Sequence, residues 1–180
     1  MRLHIKQVVI SGLFAALTAA LSQVAVAIPV SPVPITLQVF SVSLSGAVLG
    51  SKLGALSQSA YVLLGAAGIP VFAGFEAGFG IIMGAKGGYI VGFPVFAYIT
   101  GYLVEHQSRI SVLRTFLSML AGLTAFYMLG TAWLGTVMEL DLLNAIILGA
   151  GWFLPMDIVK IILASITGVK IRKSKEFMRL

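Results

Sequence analysis

Asp157 and Lys160 are the two residues whose types and spacing best suit them to chemistry. They stand three positions apart in an apolar stretch, so on a helix they share one face. A carboxylate accepts hydrogen bonds and an ammonium donates them. Each charge at the centre of a membrane helix costs roughly 2.5–3.5 kcal/mol, and pairing lowers that cost. The pair predicts a polar anchor for a ligand that carries donors and acceptors. The alternative is an ion pair that holds two helices together.

Further residues are candidates for contact with the same ligand. The amide of Gln38 both donates and accepts hydrogen bonds, although a bond between helices would explain it equally well. Glu76 lies in a glycine-rich segment, where a solvated acid is the simpler explanation. The aromatic residues nearest to these polar groups are Tyr89, Phe75, Phe72 and Trp152. Aromatic residues at such positions commonly pack inside a bundle or lie at the membrane interface.

The residues on which most enzymes and metal sites depend are missing from this sequence. It has no cysteine, which excludes thiolate metal sites and a cysteine nucleophile. Its two histidines, His4 and His106, lie in charged flanks and not in apolar segments. No G-x-x-x-x-G-K-[ST] phosphate loop, H-E-x-x-H or G-x-S-x-G motif occurs. We therefore expect no catalytic site, no metal and no cofactor.

The composition indicates a protein dissolved in lipid. Of the 180 residues, 59% are hydrophobic and 10% are charged, whereas soluble domains average about 45–50% apolar and about 25% charged residues. The net charge of +6 could suggest nucleic acid, but five of the twelve basic residues lie at 170–179, directly after an apolar segment. Basic residues in that position mark the cytoplasmic end of a membrane helix. The partner expected from composition is a bilayer, not nucleic acid.

Six candidate membrane crossings divide the chain, which is expected to form a single domain, residues 1–180. A crossing takes about 20 helical residues. The first five segments are 7–28, 35–50, 53–68, 87–104 and 112–134. The last apolar stretch, 142–169, is too long for one straight helix, and Pro155 should divide it because proline suits a first turn. We expect a short helix at 142–151 and a sixth crossing at 155–169. The predicted fold class is an all-α, six-helix integral membrane bundle.

Two connections have distinct characters. Residues 28–34 contain three prolines and cannot be helical throughout. Residues 69–88 are rich in glycine but otherwise mostly apolar. A mobile surface loop would carry more Ser, Asn, Asp and Lys. Irregular backbone at membrane depth is tolerated only where protein or a cavity satisfies it. The second connection therefore predicts a glycine-rich extracellular loop between helices 3 and 4, folded over a site.

Positive charge is distributed unevenly between the two sets of connections. With six crossings, one side collects ten basic residues: Arg2, Lys6, Lys52, Arg109, Arg114, Lys170, Arg172, Lys173, Lys175 and Arg179. The other side has only Lys86, and Lys160 lies inside a crossing. Cytoplasmic loops carry the excess of Lys and Arg. Both termini are therefore predicted to be cytoplasmic in a multi-pass protein.

A stripe of small residues occurs in the first segment. Two interleaved small-xxx-small pairs are formed by Ala15, Ala16, Ala19 and Ala20. Such stripes allow membrane helices to approach closely. The stripe fits either packing inside the bundle or docking to a partner subunit.

Several motifs together resemble the BioY family, the biotin-specific S components of energy-coupling-factor transporters. They are residues 32–38 (Pro-Val-Pro-Ile-Thr-Leu-Gln), 68–74 (Gly-Ile-Pro-Val-Phe-Ala-Gly), the glycines and Tyr89 of 84–89, and Pro155, Asp157 and Lys160 within 153–160. They occur in the family's order and spacing, over nearly all 180 residues. Two stretches depart from the family pattern, since Ala85 and Lys86 follow Gly84 and the loop centre reads Phe75-Glu76-Ala77.

The resemblance implies an S component with an outward-facing pocket that binds biotin with high affinity for uptake across a bacterial or archaeal cell membrane. It also implies a membrane coupling subunit and two cytoplasmic ATPases, with the coupling subunit docked on Ala15, Ala16, Ala19 and Ala20. On this interpretation Asp157 accepts a hydrogen bond from a ureido N–H, and Lys160 donates to a ligand oxygen. Gln38, or the loop backbone with Glu76, would complete the polar contacts, while Tyr89 and Phe75 cover the rings. The alternatives are an S component for another vitamin and a membrane scaffold protein that transports nothing.

Overall fold

The computed structural model describes residues 4–29 and 31–174. Three of the basic residues from which the cytoplasmic side was predicted, Arg2, Lys175 and Arg179, lie outside the described residues. Its elements in chain order are α1 (Ile5–Ser22), β1 (Ala25–Ile28), β2 (Ser31–Thr36), α2 (Gln38–Ala66), α3 (Phe79–Met83), α4 (Gly87–Glu105), α5 (Val112–Val137), α6 (Leu142–Ile146) and α7 (Leu154–Lys173). A 3-10 turn, Ala73–Phe75, precedes α3, and a π-helical turn, Ile147–Gly151, joins α6 to α7.

Among the described residues, four helices are by length and composition apolar enough to cross a membrane: α1, α2, α4 and α5. The segments Leu142–Gly151 and Leu154–Lys173 together would form a fifth crossing, bent by 44°. Proline in the first turn of α7 confirms the predicted division of the last apolar stretch at Pro155. The fold is therefore mainly helical with several apolar helices. The predicted crossings 35–50 and 53–68 correspond to the one element α2, except that residues 35–36 belong to β2 and residues 67–68 follow the helix.

A break at Gly50 turns α2 back on itself. Gly50 has φ 83° and ψ −177°, a conformation that favours glycine because it lacks a Cβ atom. A Cβ atom added at Gly54 would lie 2.9 Å from the Cα atom of Gly46. The side-chain amide of Gln38 donates to the Tyr61 hydroxyl at 2.7 Å. The halves 38–49 and 51–66 therefore lie side by side and run in opposite directions.

Glycine also allows α4 to pack directly on the break in α2. A Cβ atom added at Gly101 would overlap the backbone of Gly50 and Ser51. The backbone N–H and the hydroxyl of Ser51 both donate to the carboxylate of Glu105, at 3.0 and 2.7 Å. This carboxylate satisfies orphan donors at the start of the second half of α2. The α2–α4 contact is the most extensive contact between elements in the fold.

Replacing Gly101 by alanine is expected to lower the melting temperature of the purified protein. The added methyl group must push α4 away from the α2 backbone, and overpacking of this kind costs about 1–3 kcal/mol. Thermal unfolding in detergent would measure the change. The matched control is Gly12→Ala, because a Cβ atom at Gly12 meets nothing within 4 Å. Equal melting temperatures for the two variants would contradict this account of the contact.

The prediction that the first helix extends to residue 28 is wrong. Helix α1 ends at Ser22, and Ala25–Ile28 pairs antiparallel with Ser31–Thr36. Pro29 disfavours helical backbone in the residue before it, and the β-branched side chains of Val26 and Ile28 suit a strand. The all-α prediction therefore omitted a two-stranded hairpin, which lies between α1 and α2.

The glycine-rich connection between α2 and α4 is ordered and packed against α2. Phe72 is 2% exposed, and its ring meets Tyr61 edge-on at a centroid distance of 5.7 Å. The Gly78 N–H donates to the Gly65 carbonyl at 2.7 Å. The backbone of this segment therefore finds partners in the last turns of α2.

Candidate functional site

A pocket of about 410 Å³ lies between β2, α2, α4, α5, the π-helical turn and α7. Its aromatic lining consists of Tyr89, Phe93, Phe126, Tyr127 and Phe153. Its side-chain polar groups include those of Thr36, Gln38, Asp157 and Lys160. An apolar chamber with a few polar groups is typical of a site for a small organic ligand.

Asp157 and Lys160 form a buried ion pair in this pocket. The Lys160 ammonium donates to Oδ1 of Asp157 at 2.6 Å, and the Tyr127 hydroxyl donates to Oδ2 at 2.6 Å. Asp157 is 4% exposed and Lys160 is 6% exposed. The first turn of α7 places Asp157 where the helix dipole favours a carboxylate. Both charges thus face the interior of the bundle.

The two residues of this pair differ in how many of their hydrogen-bonding groups already have a partner in the protein. Both carboxylate oxygens of Asp157 have a donor. An ammonium group carries three N–H donors, and within the described residues Lys160 uses one of them on the protein. Because Lys160 lines the pocket, its other N–H groups suit an acceptor on a ligand.

Gln38 joins the pocket to the glycine-rich segment. Its side-chain N–H donates to the Tyr61 hydroxyl at 2.7 Å, and its side-chain oxygen accepts from the Thr36 hydroxyl at 2.8 Å. The Tyr61 hydroxyl donates to the Val71 carbonyl at 3.1 Å. These bonds hold the amide in one orientation at the pocket wall.

Tyr89 belongs to the aromatic lining of the pocket. Its hydroxyl donates to the Gly149 carbonyl in the π-helical turn at 2.8 Å. Phe93 and Phe126 stack with centroids 5.4 Å apart and an interplanar angle of 8°. Their flat surfaces suit an apolar ring system.

Glu76 lies beside the pocket, in the lining of a neighbouring cavity, and is paired with a base. Its carboxylate accepts from the Lys86 ammonium at 2.7 Å. The two residues line a neighbouring cavity of about 340 Å³, which shares Val33, Pro34 and Gln38 with the first pocket. The ion pair therefore joins two parts of the glycine-rich connection next to the pocket.

Phe75 does not occupy the position predicted for it. Its side chain is 69% exposed, and it is absent from the lining of both cavities. Gly74 and Phe75 both have positive φ, at 73° and 59°, in a tight turn that leaves the ring at the surface. Phe93 and Phe126 supply the aromatic surface that was assigned to Phe75.

Sequence reasoning missed Tyr127 and the phenylalanines of the wall. Tyr127 was treated as part of an apolar crossing, although a tyrosine hydroxyl buried in a bundle needs a hydrogen-bond partner. This need for a partner was the one feature of the sequence that could have marked Tyr127 as a candidate site residue. Nothing in the sequence identifies Asp157, thirty positions later, as the partner.

The alanine stripe of α1 divides between two environments. Ala15 is 3% exposed and belongs to the core, which corrects its prediction as a docking residue. Ala19 is half-buried, while Ala16 and Ala20 are exposed, as is Gly12 one turn earlier. Ala15 therefore packs inside the protein, Ala19 lies at the edge of the core, and Ala16 and Ala20 form an outer face of small residues.

Comparisons with known proteins agree with one another. The model of the BioY family matches residues 1–177. The chain is 46% identical over 155 residues to the probable biotin transporter BioY of Pyrococcus horikoshii, which covers 86% of this chain and 89% of that protein. It is 38% identical over 168 residues to the biotin transporter BioY of Thermotoga maritima, covering 93% and 96%. A crystal structure of the S-component for biotin from an ECF-type ABC transporter matches with a TM-score of 0.90 at 26% identity, covering 97% and 95%.

Proposed function

The chain belongs to the BioY family, and from that premise we propose that it captures biotin and takes it up across the membrane as the substrate-binding subunit of an energy-coupling-factor transporter. It is a transport protein and not an enzyme. The observation that carries the proposal is the buried Asp157–Lys160 pair lining an aromatic pocket.

The polar groups of the pocket complement biotin. Biotin offers two ureido N–H donors, a carbonyl acceptor, an apolar bicycle and a carboxylate tail. Asp157 accepts from a ureido N–H, and Lys160 donates to a ligand oxygen through an N–H that the protein leaves free. Gln38 and Tyr89, which also line the pocket, contact the ligand as well. An analogue without the ureido group would be rejected because buried polar groups would be left unpaired.

The ring system of the ligand lies against Phe93 and Phe126, whose stacked rings form a flat apolar wall. Phe75 stays at the surface. Glu76 acts at the entrance through its ion pair with Lys86, which biotin passes on its way into the pocket.

The pocket opens to the outside of the cell, and both termini are cytoplasmic. Each half of α2 counts as one crossing, because the halves run in opposite directions from the break at Gly50. With α1, α4, α5 and α7 the total is six. The cytoplasmic end then contains the start of α1, the α2 break, the α4–α5 connection and the last turn of α7. These parts carry the basic residues Lys6, Lys52, Arg109, Arg114 and Arg172. The membrane is the cell membrane of a bacterium or an archaeon.

Transport requires partners that supply energy. These are a membrane coupling subunit and two cytoplasmic ATPases. The coupling subunit docks on the outer face of α1, at Ala16, Ala20 and the half-buried Ala19. Small residues there permit close approach of another membrane helix.

Calorimetric titration of the purified protein tests the substrate. We expect saturable binding of biotin and none of thiamine or riboflavin at the same concentrations. Binding of thiamine or riboflavin in place of biotin would reassign the protein to another vitamin. Absence of binding to all three by a folded sample would favour the scaffold alternative.

A further inference from the structure

A second cavity lies at the far end of the bundle from the biotin pocket. It encloses about 510 Å³ between the first turns of α1, the residues flanking the Gly50 break and the last turn of α7. Asp157 and Arg172 are fifteen residues apart on α7. At a rise of 1.5 Å per residue, the two sites are separated by roughly 22 Å along that helix.

The lining of this cavity combines two basic residues, the amide of Gln7 and an apolar wall. Lys6 and Arg172 supply its charges. The apolar wall consists of Ile10, Val48, Leu49 and Leu53. No acidic residue of the described chain lines the cavity, whereas Lys86 and Lys160 each have a carboxylate partner.

Arg172 leaves one donor without an acceptor. Its Nη1 atom is buried, and no group within residues 4–29 and 31–174 forms a hydrogen bond with it. A buried donor left unsatisfied costs about 1–3 kcal/mol, and more when it is charged. The C-terminal dipole of α7 favours positive charge there, but a dipole does not supply the missing hydrogen bond. An anion in the cavity would supply it.

We propose that this cavity binds the phosphate group of an anionic phospholipid from the adjacent leaflet. A planar guanidinium matches phosphate geometry, and Lys6 adds a second positive charge at the rim. The apolar wall accommodates the first carbons of an acyl chain, a contact that a free phosphate ion could not make. Basic pockets between membrane helices on the cytoplasmic side commonly hold anionic headgroups.

Native mass spectrometry of the full chain with phosphatidylglycerol and phosphatidylcholine tests the proposal. We expect one molecule of phosphatidylglycerol to be retained in preference to phosphatidylcholine. Arg172→Gln and Lys6→Gln should each weaken its retention about fivefold, as expected for loss of one basic residue at the surface. Arg172→Lys, which keeps the charge but loses the planar fork, should fall between the wild type and Arg172→Gln.

The matched control is Lys52→Gln. Lys52 is exposed at the same end of the bundle and does not line the cavity, so its variant should retain phosphatidylglycerol as the wild type does. An equal loss in the Lys52 variant would show only general attraction to the basic surface and would overturn the proposal. Displacement of the lipid by millimolar inorganic phosphate would overturn it as well, because the site would then recognise a soluble anion. Melting temperatures confirm that each variant is folded.

Discussion

Replacing Asp157 by asparagine is expected to lower the affinity for biotin by about 30-fold to several thousandfold. Truncating one partner of a buried, hydrogen-bonded charge pair costs about 2–5 kcal/mol, much of it because the other charge is left unpaired. Here Lys160, a residue that is 6% exposed, would lose the carboxylate partner of its ammonium group. The ligand would lose its acceptor at the same time. Calorimetry on the purified variant measures the change.

Variants of similar size separate this effect from a general loss of structure. Asp141→Asn makes the same chemical change at an exposed helix cap, where asparagine serves equally well, and should leave affinity unchanged. Lys160→Met should resemble Asp157→Asn, and the double variant should lose less than the sum of the two, because the residues interact directly. Tyr127→Phe removes one hydrogen bond to the carboxylate and should cost about ten- to a hundredfold.

The alternative role of the pair makes the opposite prediction. If Asp157 and Lys160 only hold helices together, their variants should lower the melting temperature while biotin binds the folded fraction with full affinity. That result would remove the polar-anchor explanation of the pocket.

The double substitution Ala16→Leu and Ala20→Leu is expected to reduce biotin uptake about tenfold or more while leaving binding intact. Both residues lie on the outer face of α1. Leucine side chains would hold a docked helix away, and overpacking of a close contact costs about 1–3 kcal/mol. The pocket residues belong to other elements, so biotin affinity should not change. Radiolabelled uptake in cells with the energising subunits, set beside calorimetry, measures both quantities.

Two controls make the uptake result specific. Ala121→Leu introduces the same side chain on the exposed face of α5 and should support normal uptake. Ala15→Leu places it in the core and should lower the melting temperature instead. Normal uptake by the Ala16 and Ala20 double variant would show that this face is not the docking surface.

Strong local effects made parts of the fold predictable from sequence. Pro155 has a clear preference for a first helical turn, and the cost of isolated charge in hydrocarbon directed Asp157 and Lys160 inward. The end of α1 was mispredicted because Val24 and Val26 are as apolar as a membrane helix requires, and only pairing with β2 makes residues 25–28 a strand.

The remaining gaps concern contacts between distant segments. Tyr127 reaches Asp157 only because α5 packs against α7, and no local pattern encodes that pairing. The alanines of α1 have nearly equal hydrophobicity, so their sequence does not indicate which pair faces the core. The position of Phe75 depended on two consecutive positive φ values, of which only the one at glycine is suggested by residue type.

The pocket and the glycine contacts occupy different parts of the molecule. Much of the lining belongs to β2, the π-helical turn and single aromatic side chains, whereas Gly46, Gly54 and Gly101 fix the backbones of α2 and α4 where no larger residue fits. Selection for a new nutrient could therefore exchange wall residues one at a time while the glycines stay fixed. Homologous chains with different ligand preferences should vary most at Val33, Val39 and Phe153, and least at the three glycines.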